Sequence, residues 1–374
     1  LYLYMTRGDD LMTKSENMQK TEDDVIILLR DLYESYGFKK FKMKTFEEYS
    51  LYIENKNFLS NNQIITFTGL NGKLLALKPD ITLSIIKNCD AAFDNNEKYY
   101  YNENVYRPHK NNYEYKEIPQ MGLELIGNID SYSILETVSI AIKTLKTITN
   151  DYLLDISDLD FIGGILDTID CQKQVKLNIL SYIKQKNDHD LKHYAKESGL
   201  SKSDINLLSA IVNLYGPFPR TLKICETIVN NEKSKRALNN LKSLYHQLKF
   251  YHLHNNIRLD FSIINDLDYY NGIIFQGFVK QVPNAVLSGG RYDKMVKRFG
   301  INASAIGFAL YIDELDKLFQ RFSKYDVDAF VLYKDDTDPI KVMGFVNSLI
   351  SDGKSVRAEK SIPKNLTYSK LYNL

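Results

Sequence analysis

Two short stretches gather the side chains best suited to holding a small polar molecule. Gln120-Met121-Gly122-Leu123-Glu124 reads as a strand. Its side chains alternate between faces, so Gln120, Gly122 and Glu124 share one face while Met121, Leu123 and the following Leu125 take the other. A glycine inside a strand often marks close approach by a ligand. An amide and a carboxylate flanking that gap can read a polar molecule through hydrogen bonds. A solvent-facing sheet surface would carry the same residues, so the strand alone leaves both readings open. The second stretch, Asn265-Asp266-Leu267-Asp268-Tyr269-Tyr270-Asn271-Gly272, places two carboxylates and two tyrosines where an ordinary turn needs only Gly and Asn. Tyrosine offers a rigid ring with a hydroxyl at its tip, fit to close over a ligand, although a strand pair with a polar bend and core tyrosines accounts for the pattern too.

Other chemistry-bearing groups point less clearly to a site. His189 and His193 lie one helical turn apart, but a metalloprotease motif needs Glu directly after the first His and a third ligand. Asp190 stands there instead, in a Lys-rich segment, and a surface helix is the expectation. His252 and His254 carry no stronger signal. Ser288-Gly289-Gly290 lacks the preceding strand and the GK[ST] ending of a phosphate loop. No metal site and no cofactor are expected.

The elements that must position these groups can be read in order. From Ser15 or Thr21, apolar residues recur at helical spacing through Val25, Leu28, Leu29, Leu32 and Tyr36, and Gly37 ends the helix. Phe41 and Met43 alternate with lysines as an edge-like strand. Gln63–Thr68 and Lys73–Leu77 flank Asn71-Gly72, a hairpin signal. Pro79 stops that strand, and a short helix runs to Asn88. A second hairpin has arms Lys98–Arg107 and Glu117–Ile126. Asp130–Thr149 is an amphipathic helix. Residues from about 163 to 256 read as a Lys-rich helical insertion, broken at Gly216-Pro217-Phe218-Pro219. The polar centre at 265–272 is flanked by strand arms Leu259–Ile264 and Ile273–Val279. Strand Ala305–Tyr311 leads into helix Ile312–Phe322, and the tail gives strand, helix (Pro339–Ser351) and strand (Val356–Glu359). Hairpins surrounded by helices, without βαβ alternation, indicate an α+β domain on an antiparallel sheet.

Bulk properties narrow the class. The 374 residues allow two or three domains, and 48 basic against 47 acidic residues give a formal net charge of +1. Such a balance offers no global nucleic-acid or membrane surface. No apolar run is long enough to span a bilayer. The N-terminal residues lack the regions of a signal peptide. Cys89, Cys171 and Cys225 are widely spaced and form no CxxC pair, which fits reduced thiols in a cytoplasmic protein.

Taken together, the segments resemble the catalytic core of histidyl-tRNA synthetase, a class II aminoacyl-tRNA synthetase, over roughly residues 15 to 323. Lys78-Pro79-Asp80-Ile81-Thr82 looks like the family's Arg-Pro-Glu-Gly-Thr. Asn104-Val105-Tyr106-Arg107 through Gln120–Glu124 looks like motif 2, and Gly307–Leu315 like motif 3. Leu267-Asp268-Tyr269-Tyr270 and Gly289-Gly290-Arg291-Tyr292-Asp293 look like the two histidine-specific motifs. The resemblance implies a class II synthetase-like sheet flanked by helices, with residues 1–14 as an extension, 15–323 as the core and 324–374 as a truncated anticodon-binding-like α/β tail. It also implies that Asp80 (Glu in the family), Thr82, Arg107, Gln120, Glu124, Tyr270 and Tyr292 contact histidine. Carboxylates at 80 and 124 suit an α-ammonium and an imidazole N–H respectively.

The departures concern ATP. In the synthetases an arginine stands at Asn265, the motif 3 arginine at Glu314, a glutamate at His109 and a further arginine at Lys116. Asn offers no charge to a phosphate. Like charges about 4 Å apart at an effective dielectric near 20 repel by about 4 kcal/mol, where arginine would attract. Lys116 lacks the arginine's bidentate fork. Val327–Leu374 holds seven Lys/Arg against six Asp/Glu, too little charge for a tRNA footprint. Pocket kept and ATP machinery lost, the chain is similar to the regulatory subunits of short-form ATP phosphoribosyltransferase. That resemblance implies a homodimeric core, a hetero-octamer with the catalytic subunit, and feedback by L-histidine without tRNA.

Overall fold

The computed structural model describes residues 21–54, 64–89, 96–108, 114–264, 270–319 and 325–374. They fall into two compact units, one within Lys20–Phe319 and one containing 325–374. Of the sequence readings, those on 1–20, His109, Asn265–Tyr269 and the end of the helix expected to reach Phe322 lie outside the described residues.

The larger unit opens with α1 (Glu22–Ser35). Thr21 caps it reciprocally, its hydroxyl accepting from Asp24 N at 3.2 Å while Thr21 N donates to the Asp24 carboxylate at 2.9 Å. Gly37 follows at φ +79, the left-handed stop expected of it. β1 is only Lys39–Lys40; the edge strand expected through Met43 ends there. β2 (Phe46–Glu48), α2 (Ser50–Glu54), β3 (Thr66–Thr68) and β4 (Leu74–Leu77) follow, the three strands forming a small sheet in the order β2-β4-β3. Next come α3 (Ile81–Lys87) and the long hairpin β5 (Glu97–Pro108) and β6 (Tyr115–Gly127), then α4 (Ser131–Ile148), capped by Asp130.

β7 (Tyr152–Asp158) is a strand the sequence reading passed over. It leads into the helical region: α5 (Leu159–Asp167), α6 (Lys173–Lys184), α7 (Asp188–Glu197), α8 (Lys202–Val212), then β8 (Tyr215–Pro217), α9 (Phe218–Ile228) and α10 (Glu232–Phe250). The breaker cluster at 216–219 is therefore partly strand. Pro217 is tolerated because β8 is an edge strand, and Pro219 sits in the first turn of α9. β9 (Ile257–Asp260), β10 (Ile273–Val279), β11 (Leu287–Arg291), α11 (Asp293–Arg298), β12 (Ser304–Tyr311) and α12 (Asp316–Phe319) complete the unit.

Nine strands form one sheet in the order β1-β5-β6-β12-β11-β10-β7-β9-β8. All neighbours are antiparallel except β1–β5 and β7–β9, so the sheet is mixed and the α+β expectation holds. One sequence expectation is corrected here. The arms around 265–272 are not a strand pair, because β7 lies between β9 and β10 and pairs with both. Asp155 hides β7 from a hydrophobicity pattern. It is buried in mid-strand and held by Arg258 of β9 through two 2.8 Å bonds.

The two sheet faces differ. Met121, Leu123 and Leu125 join a core shared with α1, α4 and the helical region. Tyr33 of α1 donates or accepts at 3.1 Å with Thr144 of α4 beneath that face. On the other face a second core gathers Ile85, Tyr101, Val105, Ile126, Tyr292, Met295 and Ala305. The smaller unit has a parallel sheet, β13 (Val327–Leu332) between β14 (Val356–Glu359) and β15 (Tyr368–Asn373), with α13 (Pro339–Ser351) against it. β15 was not foreseen. No helix of the described residues is long and apolar enough to cross a membrane.

Leu123, fully buried in the central β6, should be among the most costly truncations. Leu123→Ala is expected to lower stability by about 2–5 kcal/mol in denaturant unfolding with an unchanged slope. A loss below about 1 kcal/mol would mean that this core is not packed as described.

Candidate functional site

A patch of small residues makes the site. Register places Gly122 of β6 opposite Ala309 of β12, Glu124 opposite Gly307, and Gln120 opposite Tyr311. On β11, Ser288 lies opposite Ala309 and Gly290 opposite Gly307. Directly opposed residues share a face, so Gly122, Gly307, Ala309, Gly290 and Ser288 form a low floor across three neighbouring strands. Two of these glycines are required by close approach. A Cβ at Gly307 would lie 1.7 Å from Glu124 Oε2, and one at Gly122 would lie 2.5 Å from the Tyr101 hydroxyl.

Over this floor is a cavity of about 70 Å³ lined by Asp80, Thr82, Arg107, Gln120, Glu124, Tyr270 and Tyr292. The seven residues carried over from the family resemblance thus converge. The lining also includes Tyr101, Tyr311 and Ser288, none of which sequence reasoning placed at this site, Ser288 having been weighed only as part of a phosphate loop. Tyr101 was recoverable in principle, since the hairpin register that sets Gly122 in β6 sets Tyr101 opposite it in β5. Tyr311 and Ser288 depend on pairings between strands far apart in sequence and left no local signal.

Glu124 is the centre of the arrangement. It is 2% exposed, and its two oxygens are taken by hydroxyls: Thr82 donates to Oε1 at 2.7 Å and Tyr292 to Oε2. Burial pushes its carboxyl up to about 8, against the pull of the two hydroxyls, with Asp80 adding to the rise. Asp80 caps α3, its Oδ1 accepting from Leu83 N at 2.9 Å. Burial also raises Asp80, opposed by Arg107, whose Nη2 is 4.0 Å from Asp80 Oδ2. Arg107 is steadied by its Nε, which donates to the Pro79 carbonyl at 2.9 Å. Tyr101 and Tyr270 are pushed well above the usual phenol range by burial, so both are neutral donors. Of the two readings left open for Gln120 and Glu124, the solvent-facing sheet surface does not hold, since both are buried.

Positions read as departures lie differently. Glu314 does not line the cavity; its Oε2 accepts from Asn284 Nδ2 at 3.0 Å. Lys116 Nζ sits 2.6 Å from Asp313 Oδ2. His109 and Asn265 are outside the described residues. The histidine pair of α7 is on the surface, His189 being 91% exposed beside Asp190 and His193 facing Glu197 at 3.3 Å. Ser288-Gly289-Gly290 is strand rather than loop. Among the described residues no group of three or more His, Cys, Asp or Glu is placed to hold a metal ion.

A carboxyl raised on folding binds its proton more tightly in the native state. Between its ordinary 4.5 and about 8 the folded chain therefore holds more protons, and stability falls as pH rises across that window. Glu124→Gln removes this slope. Its melting temperature relative to the unsubstituted protein should climb from about pH 5 to about pH 9. A difference constant with pH would contradict the raised carboxyl.

Comparison with known proteins gives the family and the fold. A family model described as histidyl-tRNA synthetase matches residues 15–315. An ATP phosphoribosyltransferase regulatory subunit from Caldanaerobacter subterraneus subsp. tengcongensis is 30% identical over 328 residues, covering 86% of this chain and 84% of that protein. The solved ATP phosphoribosyltransferase regulatory subunit/histidyl-tRNA synthetase from Bacillus halodurans C superposes with a TM-score of 0.79 at 21% identity, covering 94% of this chain and 93% of that one. A chain of the ATP phosphoribosyl transferase (HisG:HisZ) complex from Thermotoga maritima superposes at 0.63 and 16% identity, covering 78% and 97%. At those identities the structures speak for the fold, while the sequence relative and the family model speak for descent. The chain belongs to the histidyl-tRNA synthetase family, within its group of ATP phosphoribosyltransferase regulatory subunits.

Proposed function

We propose that this regulatory subunit senses L-histidine in the Glu124 cavity and has no aminoacylation chemistry of its own. The observation that carries the reading is the convergence of all seven amino-acid-binding positions on one cavity while the ATP side is spent. Lys116 is neutralised by Asp313, and Glu314, bonded to Asn284, brings a negative charge where phosphate would need a positive one.

In this reading Glu124 accepts the imidazole N–H, Asp80 takes the α-ammonium and Arg107 faces the α-carboxylate. A carboxylate has about four lone-pair sites and two of Glu124's are used, so an incoming N–H bonds without displacing both hydroxyls. Residues 15–323 act as the sensing core, with the helical insertion at about 163–256, and the near-balanced charge of the small α/β unit at 324–374 offers tRNA no footprint. The core pairs as a homodimer and joins the catalytic subunit in a cytoplasmic hetero-octamer, in which histidine favours the inhibited arrangement. That effect requires unequal histidine affinity in the active and inhibited states.

The test is the reconstituted complex with the catalytic subunit. Glu124→Ala should co-purify with its partner and support activity, yet require about tenfold or more histidine for half-inhibition. Gly307→Ala, which drives a methyl into Glu124, should do the same. Unchanged inhibition in both variants would remove histidine from this pocket.

A further inference from the structure

Tyr270 and Tyr292 reach the cavity from two separate segments, and one side chain fastens those segments together. The Asp293 carboxylate accepts from Arg291 Nε at 3.0 and 2.9 Å, from Asn271 Nδ2 at 3.1 Å and from the backbone N–H of Ala305 at 3.2 Å. Asn271 returns the contact, its Oδ1 accepting from Asp293 N at 2.8 Å, while Asn271 N donates to the Arg291 carbonyl at 2.9 Å. Tyr292 N in turn donates to the Ala305 carbonyl at 2.8 Å. Residues adjacent to both tyrosines are thus locked to each other and to β12, the strand that holds Gly307 under Glu124.

We infer that Asp293 is a positioning residue for the candidate pocket, setting Tyr292 so that its hydroxyl bonds Glu124. The inference rests on the reading of this cavity as the histidine site. Asp293 touches no cavity atom itself. With Asn271 and Arg291 it lines a separate cleft of about 500 Å³. Removing its carboxylate therefore opens no apolar void in the core.

A general loosening and a loss of positioning give different pH profiles. The charged and titratable groups facing Glu124 are Asp80, Arg107, Tyr101, Tyr270, Tyr292 and Tyr311. Among them the Tyr292 hydroxyl is the largest influence holding the Glu124 carboxyl down from where burial would drive it. If Asp293 sets that hydroxyl, its loss lets the carboxyl rise further, and the pH at which histidine affinity levels off moves upward. Titration of the free amino acid is common to every variant and cancels in the comparison.

The experiment is calorimetric titration with L-histidine across pH for the unsubstituted chain, Asp293→Ala, the milder Asp293→Asn, and Tyr292→Phe. Asp293→Ala should weaken binding about tenfold near neutral pH and move the midpoint up by about one unit. Asp293→Asn should move it part of the way, and keeps the test open should the alanine variant not fold. Tyr292→Phe should move the midpoint similarly, and the double variant Asp293→Ala/Tyr292→Phe no further. Weaker binding with an unmoved midpoint, or fully additive shifts, would overturn the positioning role. Failure of the unsubstituted chain to bind histidine would instead refute the pocket reading on which it rests.

Discussion

A buried carboxylate on a floor of missing side chains is the constraint on which the site depends. Glu124 occupies space that exists because Gly307 has no Cβ, and its oxygens are met by hydroxyls from α3 and from the segment after β11. Burying such a group is costly unless it is hydrogen-bonded, and here burial wins over the two bonds, leaving the carboxyl near 8. The group is therefore poised near neutral pH. A ligand that offers a further donor tips it toward the ionised form, which links occupancy to charge at the centre of the sheet.

The rest of the core serves that placement. One sheet face takes α1 and α4, and the other, beside its own core of Tyr101, Val105 and Ile126, carries the small residues that leave room for the cavity. Period-2 alternation along β6 and β12 assigns each residue to its face, so a single sequence encodes both the packing and the gap. Two positions where the resemblance expects arginine find partners within the chain, Lys116 in Asp313 and Glu314 in Asn284.

The sequence made some of this legible and hid the rest, for physical reasons. Alternation in Gln120–Glu124, the Asn71-Gly72 turn and the amphipathic helix from Asp130 are local signals, and each appears where expected. β7 was missed because two aspartates interrupt its apolar run, one satisfied by Arg258 and the other by capping α5. The supposed pairing of the arms around residues 265–272 failed because adjacency in sequence does not set adjacency in a nine-stranded sheet. β8 looked like a breaker because Pro is confined to edge strands and Gly weakens a strand, and β8 lies at an edge. Tyr311 and Ser288 belong to the cavity through inter-strand register alone. The candidate ligand-binding positions came from family resemblance, and only Gln120, Glu124 and Tyr270 also stand out by their own chemistry.

Direct titration of the purified protein tests the central claim most simply. Calorimetry with L-histidine, and separately with ATP and magnesium, should give saturable binding for histidine and none for ATP. ATP binding coupled to histidine would contradict the account, because it would mean that Glu314 and Lys116 still serve a nucleotide site and that the chain retains the synthetases' activating chemistry.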